Sequence, residues 1–366
     1  MVSINIPNGQ TAVKVKVIDN GARITGPMAF FLDPPILAEA QRREKMHAPA
    51  FSFLVEHETL QRKVVFDLGI RANPEQYPSA VLKYHEAFSL VTGREVYDVL
   101  KNGGVDLSTI EAIIWSHHHM DHTGNPNGFP PTTDLIVGPG FKETLLPSYP
   151  ENPEAMIGQR DYEGRNLRQL DFKEDSKGLT IGGFPAIDYF EDESFYLLQA
   201  PGHSIDHMAG LARTSTSPER FILMGADIGH HASQWRPSEY RPIPKELTPS
   251  PFGPESKFNL RLNVCPGELF TEHVHPQGRN DVPFTKVKAG HPYDAEQAQR
   301  DVEKMVSFDE DDRIMVIAAH DFTLLPILGY FPKEANGWHE AGWKESSRWE
   351  FLKGLACLVP ETAART

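Results

Sequence analysis

Between residues 112 and 122 the chain runs from a short apolar stretch, Ala112 to Trp115, directly into Ser116-His117-His118-His119-Met120-Asp121-His122. A short apolar run bounded by polar residues reads as a buried strand. His117 and His119 are one residue apart, so an extended loop points both the same way and turns His118 to the other side. Asp121 and His122 follow within one turn. Four nitrogen and oxygen donors in six residues suit Zn²⁺ or another first-row divalent ion. The arrangement recurs downstream. Phe195 to Gln199 leads into Pro201-Gly202-His203-Ser204, Arg220 to Met224 into Gly225-Ala226-Asp227, and Arg313 to Ile317 into Ala319-His320-Asp321. Strand ends collected at one edge of a sheet are where a rigid scaffold displays reactive groups. A tag remnant or a chance histidine-rich loop would not be followed by such partners. Each downstream residue also has a plainer reading: His203 as a bonded structural histidine, Asp227 as a cap before Ile228, His320 as a local hydrogen-bonding group.

The other elements are those of a mixed α/β chain. Val13 to Ile18 alternates and is β-branched, and Phe51 to Glu56 with Lys63 to Asp67 read as a hairpin ending in Phe66-Asp67-Leu68-Gly69. Leu135 to Val137 reads as a further strand and Pro139 to Leu145 as a short helix. Helical spacing runs through Pro78 to Thr92, then Tyr97 to Asn102 before Gly103 and Gly104, a helix stop. Tyr293 to Val306 reads as a helix capped by Asp294, and Trp343 to Leu358 as another. No repeat of solenoid or propeller period is present. The expected organisation is a single domain over 1–366 with its core at about 50–325, a Pro-rich insertion at 235–290 and a C-terminal helical segment at 340–358.

Charge narrows the partners. The 366 residues carry a net charge of −14, which repels phosphate backbones and anionic membranes, so neither nucleic acid nor membrane is expected as a partner. No stretch approaches the ~18 apolar residues of a membrane span. The N-terminus lacks the basic start and apolar run of a signal peptide, and the two cysteines, Cys265 and Cys357, read as thiols of a reducing compartment. The expected location is cytoplasmic, the expected assembly a monomer or homodimer. There is no GxxxxGK[ST] loop, no G-x-S-x-G elbow and no CxxC pair.

The run from His117 to His122 matches H-x-H-x-D-H, and with Asp67, His203, Asp227 and His320 in order the chain resembles the metallo-β-lactamase superfamily over about residues 50 to 325. The resemblance implies an αββα sandwich with two metals at one edge of its sheets, taken as two Zn²⁺ per chain, with Mn, Fe or Co as other occupants. It implies that His117, His119 and His203 bind one metal, that Asp121, His122 and His320 bind the other, and that Asp227 bridges both. The metals would supply a hydroxide to attack a carbonyl carbon, and Asp121 would orient it or accept a proton. Asp67 is expected to orient a metal-binding histidine from behind. In related lactone hydrolases a tyrosine lies three residues after the bridging aspartate. Here that position is His230, which puts a tyrosine-based mechanism in doubt and makes His230 and His231 the candidates to stabilise the oxyanion or protonate the leaving group. His273, His275 and His291 read as loop histidines. Phe30, Phe31, Trp235, Tyr240, Phe252 and Phe270 could wall an apolar pocket, with core packing as the alternative.

Fold alone does not fix substrate. Common zinc β-lactamases lack this bridging arrangement, and nucleases of the superfamily carry an added domain and basic surfaces. The resemblance points to hydrolytic opening of a small lactone or γ-lactam, looser similarity reaching fungal members that open benzoxazolinone-type compounds. A thioesterase, glyoxalase-II-like or polyketide-releasing, is one alternative. A mononuclear iron dioxygenase acting on persulfides is another, and a non-catalytic metal-stabilised scaffold a third.

Overall fold

Among the described residues two six-stranded sheets pack face to face, with one apolar core between them and one on the outer face of each. The computed structural model describes residues 2–36, 38, 40, 47–84, 88–253, 256, 258, 265–290 and 292–365. The first sheet contains β1 (Lys14–Ile18), β2 (Ser52–His57), β3 (Arg62–Phe66), β4 (Ala112–Ile114), β5 (Asp134–Val137) and β6 (Leu167–Gln169), in that spatial order. The second contains β7 (Thr180–Ile181), β8 (Phe184–Asp188), β9 (Phe195–Gln199), β10 (Met208–Thr216), β11 (Glu219–Ala226) and β12 (Ile314–Ala318), again in order. Side chains on a strand alternate between faces. Phe53, Val55, Val64, Phe66 and Ile114 therefore meet Leu197, Ile222, Met224, Met315 and Ile317 between the sheets. The intervening Leu54, Val65 and Ile113 pack outward with Val99, Leu100 and Phe141. Phe221, Leu223, Ile314 and Val316 pack outward on the other side, against Val302, Met305 and Phe308 of the helix Ala295–Glu310. The result is the αββα layering that the family resemblance implies.

Parallel pairing puts the reactive ends together. β3 runs parallel to β4 with Phe66 opposite Ile114, so Asp67 and the Ser116 loop leave the sheet side by side. β11 runs parallel to β12 with Ala226 opposite Ala318, so Asp227 and His320 do the same in the second sheet. The sheets are joined at this edge by the Met208 amide donating to the Ser116 carbonyl at 2.8 Å and by Phe51 donating to Ala319 at 3.2 Å.

Several expectations need correction. Of the helix expected over Pro78 to Thr92, Ser79–Tyr84 is helical, but Ser89–Val91 is a strand paired antiparallel with Arg23–Thr25. The close approach of Gly93 to the Asn20 carbonyl draws this segment back along the chain, since a Cβ there would lie 2.2 Å from that oxygen. Trp343 to Leu358 forms a five-residue α-helix, Trp343–Ser347, and then a 3₁₀ helix, Glu350–Leu358. Leu352, Leu355 and Leu358 recur every third residue, which makes a single apolar stripe at the 3₁₀ period. The nine-residue β10 was not foreseen, because Met-Ala-Gly-Leu-Ala-Arg carries little β-propensity; its first seven residues are buried, and packing decides its conformation. The helix Ala295–Glu310 is capped as expected, the Asp294 carboxylate accepting from the Gln297 amide.

The Pro-rich stretch is anchored to the sandwich. Trp235, Ile243, Leu247, Phe252 and Phe270 are buried in the core that also holds Val302 and Phe308. Among its polar ties is a fork from Arg236 to Asp309, Nε to Oδ2 at 2.8 Å and Nη2 to Oδ1 at 2.6 Å. Among the described residues no helix is long and apolar enough to cross a membrane.

Candidate metal centre

The seven residues expected to hold metal come from four strand-end segments and converge on Asp227. Its Oδ1 lies 3.2 Å from His122 Nε2 and 3.2 Å from His320 Nε2. Its Oδ2 lies 3.4 Å from His203 Nε2 and 3.9 Å from His117 Nε2. His203 Nε2 also faces His119 Nδ1 at 3.0 Å, and His320 Nε2 faces Asp121 Oδ2 at 3.3 Å. Two donor groups result, His117, His119, His203 and Asp227 in one, Asp121, His122 and His320 in the other, with ligand atoms in each lying within 4.8 Å of one another. Asp227 thus turns one oxygen to each group.

Two of the rings, His122 and His320, are aimed from behind. Asp67 accepts from the Ser116 amide at 2.6 Å, from Ser116 Oγ at 2.7 Å and from His122 Nδ1 at 2.9 Å. The Nδ1–H of His122 is thereby committed to Asp67 and its Nε2 is turned to the centre, the orientation that outer carboxylates impose on metal-binding histidines. His320 Nδ1 donates to the Pro49 carbonyl at 2.7 Å with the same consequence. Asp67 adopts a left-handed φ of 60° to make this turn.

The protonation pattern follows from burial and neighbours. Burial holds His117 and His203 well below the ordinary imidazole range and takes His119 down to about 3. At His122 burial acts in the same direction, but Asp227 and Asp67 outweigh it and raise the ring well above 6.5. His320 is likewise lifted against burial, to about 10, by Asp227 and Asp121. Burial pushes Asp227 upward and the surrounding histidines override it, leaving the carboxylate ionised.

These residues fit metal ions. His117 Nε2, His122 Nε2 and Asp227 Oδ1 are buried without a hydrogen-bond partner, an arrangement that costs stability unless something else meets them. Nitrogen and carboxylate donors converging on one place, with second-side hydrogen bonds in place, form a site for first-row divalent ions.

His230 joins the cluster. Its Nε2 is buried without a hydrogen-bond partner, 3.4 Å from Asp227 Oδ2, and its ring stacks on Phe31 at 4.4 Å between centroids. His231 turns the other way. Its Nδ1 accepts from the Ser233 amide at 3.2 Å, capping the turn at Ala232–Gln234, and its ring lies against Phe322 and Phe351. It is not among the groups that face the centre.

Burial holds His231 neutral, with its pKa down to about 3. Between about 3 and the ordinary 6.5 the unfolded chain binds a proton that the folded chain does not, so stability falls as pH drops through that window. Each pH unit there removes about 1.4 kcal/mol through this residue. His231→Gln is expected to flatten the decline of urea stability between pH 6.5 and pH 4.5; an unchanged slope counts against this account.

His118 turns from the centre as expected and bonds Asp206 Oδ1 through Nδ1 at 2.8 Å. His275 is buried and organises its own turn, Nε2 donating to the Val282 carbonyl and Nδ1 accepting from the Gln277 amide; His273 is exposed and His291 lies outside the described residues. Phe30 and Phe31 line a recess beside His203, Asp227 and His230, together with Ile228, Val287 and Lys288. Trp235, Phe252 and Phe270 are core residues, and Tyr240 is exposed. Asp206 and His207, which bond to the ligand loops, were missed in the sequence. The one available signal was their place in Pro201-Gly202-His203-Ser204-Ile205-Asp206-His207, directly after a candidate ligand.

Comparison with known proteins agrees with this architecture. A model of the metallo-beta-lactamase superfamily matches residues 48–211. The chain is 37% identical to gamma-lactamase FDB1 of Fusarium pseudograminearum (strain CS3096) over 98% of its own length and 86% of that protein. It is 38% identical to metallo-hydrolase mfmC of Annulohypoxylon moriforme, over 95% of its length and 89% of the relative. In fold it is similar to a mutant of AiiA from B. thuringiensis, solved with N-decanoyl-L-homoserine at the active site; the TM-score is 0.57 at 14% identity, covering 89% of this chain and all of that one. With its sandwich, its strand-edge histidines and these relatives along nearly its whole length, the chain belongs to the metallo-β-lactamase superfamily.

Proposed function

We propose that this protein is a two-metal hydrolase that opens a small γ-lactam or lactone, with 1–366 acting as one catalytic unit. The observation that carries the reading is the division of the Asp227 carboxylate, one oxygen to each donor group. A gamma-lactamase among its relatives supports a cyclic amide as the substrate. In this reading His117, His119 and His203 would hold one cation and Asp121, His122 and His320 the other, with Asp227 available to both. Two divalent cations bound there, taken as zinc, would supply an activated water and polarise a carbonyl.

The chain's own residues do the rest. Asp121, paired with His320, is placed to orient the attacking water or accept its proton. His230, steadied by Phe31 and by its amide donating to Gln234 Oε1 at 2.7 Å, presents Nε2 to the recess, where it can donate to the developing oxyanion or to the leaving atom. Phe30, Phe31, Ile228 and Val287 exclude water around an apolar ring.

The test uses the purified chain, stripped by chelator and reloaded separately with zinc, manganese, iron or cobalt, on a panel of γ-lactams, γ-lactones and thioesters. Ring opening is expected to vanish on stripping and to return with metal. Faster thioester than ring turnover would make it a thioesterase, and one iron per chain with oxygen uptake on a persulfide would make it a dioxygenase. No metal-dependent ring opening in the panel ends the proposal.

A further inference from the structure

The loop between β9 and β10 carries His203, but it also ties together segments that carry the other ligands. Asp206 Oδ1 accepts from Ser204 Oγ at 2.8 Å and bonds His118 Nδ1 at 2.8 Å, so it holds the 116–122 loop from the side facing away from the centre. His207 is fully buried, with its ring 5.1 Å from that of His117. Its Nε2 accepts the backbone N–H of Asp227 at 3.0 Å.

That backbone N–H is in an unusual place. The pairing of β11 with β12 shifts register between Met224 and Ala226, and Ala226 has a left-handed φ of 42°. A non-glycine residue there is strained and persists when its surroundings hold it. The kink turns the chain out of the strand so that the Asp227 side chain projects between the two donor groups. It also removes the Asp227 amide from the ladder. A buried amide left unbonded is destabilising, and His207 is what meets it.

We propose that His207 is a positioning residue for Asp227. Its acceptor nitrogen holds the kinked backbone at the end of β11, and that backbone sets where the two carboxylate oxygens point. The inference rests on the reading of the seven residues as a metal centre. The role requires the proton of His207 to be on Nδ1, leaving Nε2 as the acceptor. A side chain with an acceptor at similar reach should serve in its place, and an apolar one of similar size should not.

The test compares His207→Gln, whose Oε1 can accept the Asp227 amide, with His207→Leu, which has no acceptor. Cobalt affinity and the cobalt d–d absorption spectrum are measured beside circular dichroism and thermal unfolding. The leucine variant is expected to fold, to bind metal about 10–100-fold more weakly, as when an outer partner of a ligand is lost, and to show a shifted cobalt band. The glutamine variant is expected to recover most of both. Wild-type affinity and an unchanged band in the leucine variant overturn the proposal, as does equal impairment of two folded variants. Should the leucine variant not fold, the ring ¹⁵N shifts of His207 in the wild-type protein decide the matter: an acceptor-type Nε2 supports the role and a protonated Nε2 overturns it. A wild-type chain that takes up no metal sinks the metal centre, and this inference with it. A wild type that binds two ions no better than the leucine variant sinks the inference alone.

Discussion

Replacing Asp227 with asparagine is expected to leave a folded chain that holds fewer than two metal ions and has lost its hydrolytic activity. The side chain is buried, and its two oxygens serve different donor groups, Oδ1 toward His122 and His320, Oδ2 toward His203 and His117. Asparagine keeps the size but offers one acceptor oxygen and an NH₂ that points donors at ring nitrogens whose lone pairs face inward. It also removes one of two carboxylate charges, Asp121 being the other, that would balance a pair of divalent ions. The loss should exceed the roughly 100-fold seen when an outer partner of a ligand is removed, because here the carboxylate proposed as the bridge is itself changed. The fold should survive, since the backbone amide of Asp227 still donates to His207 and the strands on either side are unaltered. Metal content per chain, ring-opening rate and thermal unfolding together check this. A variant that keeps two ions and wild-type turnover rules out Asp227 as the bridge.

How much of this centre could be read from the sequence depended on whether a residue's role is local. His117, His119, Asp121 and His122 are close enough in sequence that spacing alone places them on one loop, and His203, Asp227 and His320 each follow an apolar run. The αββα layers were legible through the resemblance those motifs carry; the apolar runs mark strands, but Ile314 to Ile317 is buried at every position and does not by itself say which face meets which layer. Roles set by distant contacts were not legible. Asp206 acts on a residue 88 positions away and His207 on one 20 positions away, and no pattern around them says so. His230 and His231 are adjacent and chemically identical. What separates them is that Phe31, from the N-terminal segment, stacks on the first, while Ser233 and the core phenylalanines claim the second. The strand Ser89–Val91 escaped for the same reason, as its partner Arg23–Thr25 is far away in the chain and Leu90 and Val91 suit a helix face as well as a strand.

Asp309→Ala is expected to lower stability by about 3–5 kcal/mol, the cost of leaving buried charge unpaired. Asp309 lies in the last turn of the helix Ala295–Glu310 and is 1% exposed. Arg236 grips it with a fork, and Arg348 reaches it through Nη1 at 3.2 Å while its Nη2 bonds the Asp309 carbonyl at 2.9 Å. Both arginines are almost fully buried, so solvent cannot replace the lost carboxylate. Burial alone would push the Asp309 carboxyl upward, but the two guanidinium groups hold it far below the usual carboxylate range. Its contribution is therefore present above the unfolded value near 3.9 and disappears as pH falls through lower values. Urea unfolding of the metal-loaded protein at pH 7 measures the loss, and a change below about 1 kcal/mol, the range of an exposed pair, would refute the argument. The consequence reaches the metal centre through the chain. Arg236 follows the His230–Gln234 segment, and the other end of the same helix is joined to the ligand loop by Asp294 donating to the Gly202 carbonyl and by the Tyr293 amide donating to the His203 carbonyl, each at 3.0 Å. One helix thus carries the loop of a metal ligand at its start and the anchor of the His230 segment near its end, so releasing Asp309 loosens both sides of the recess.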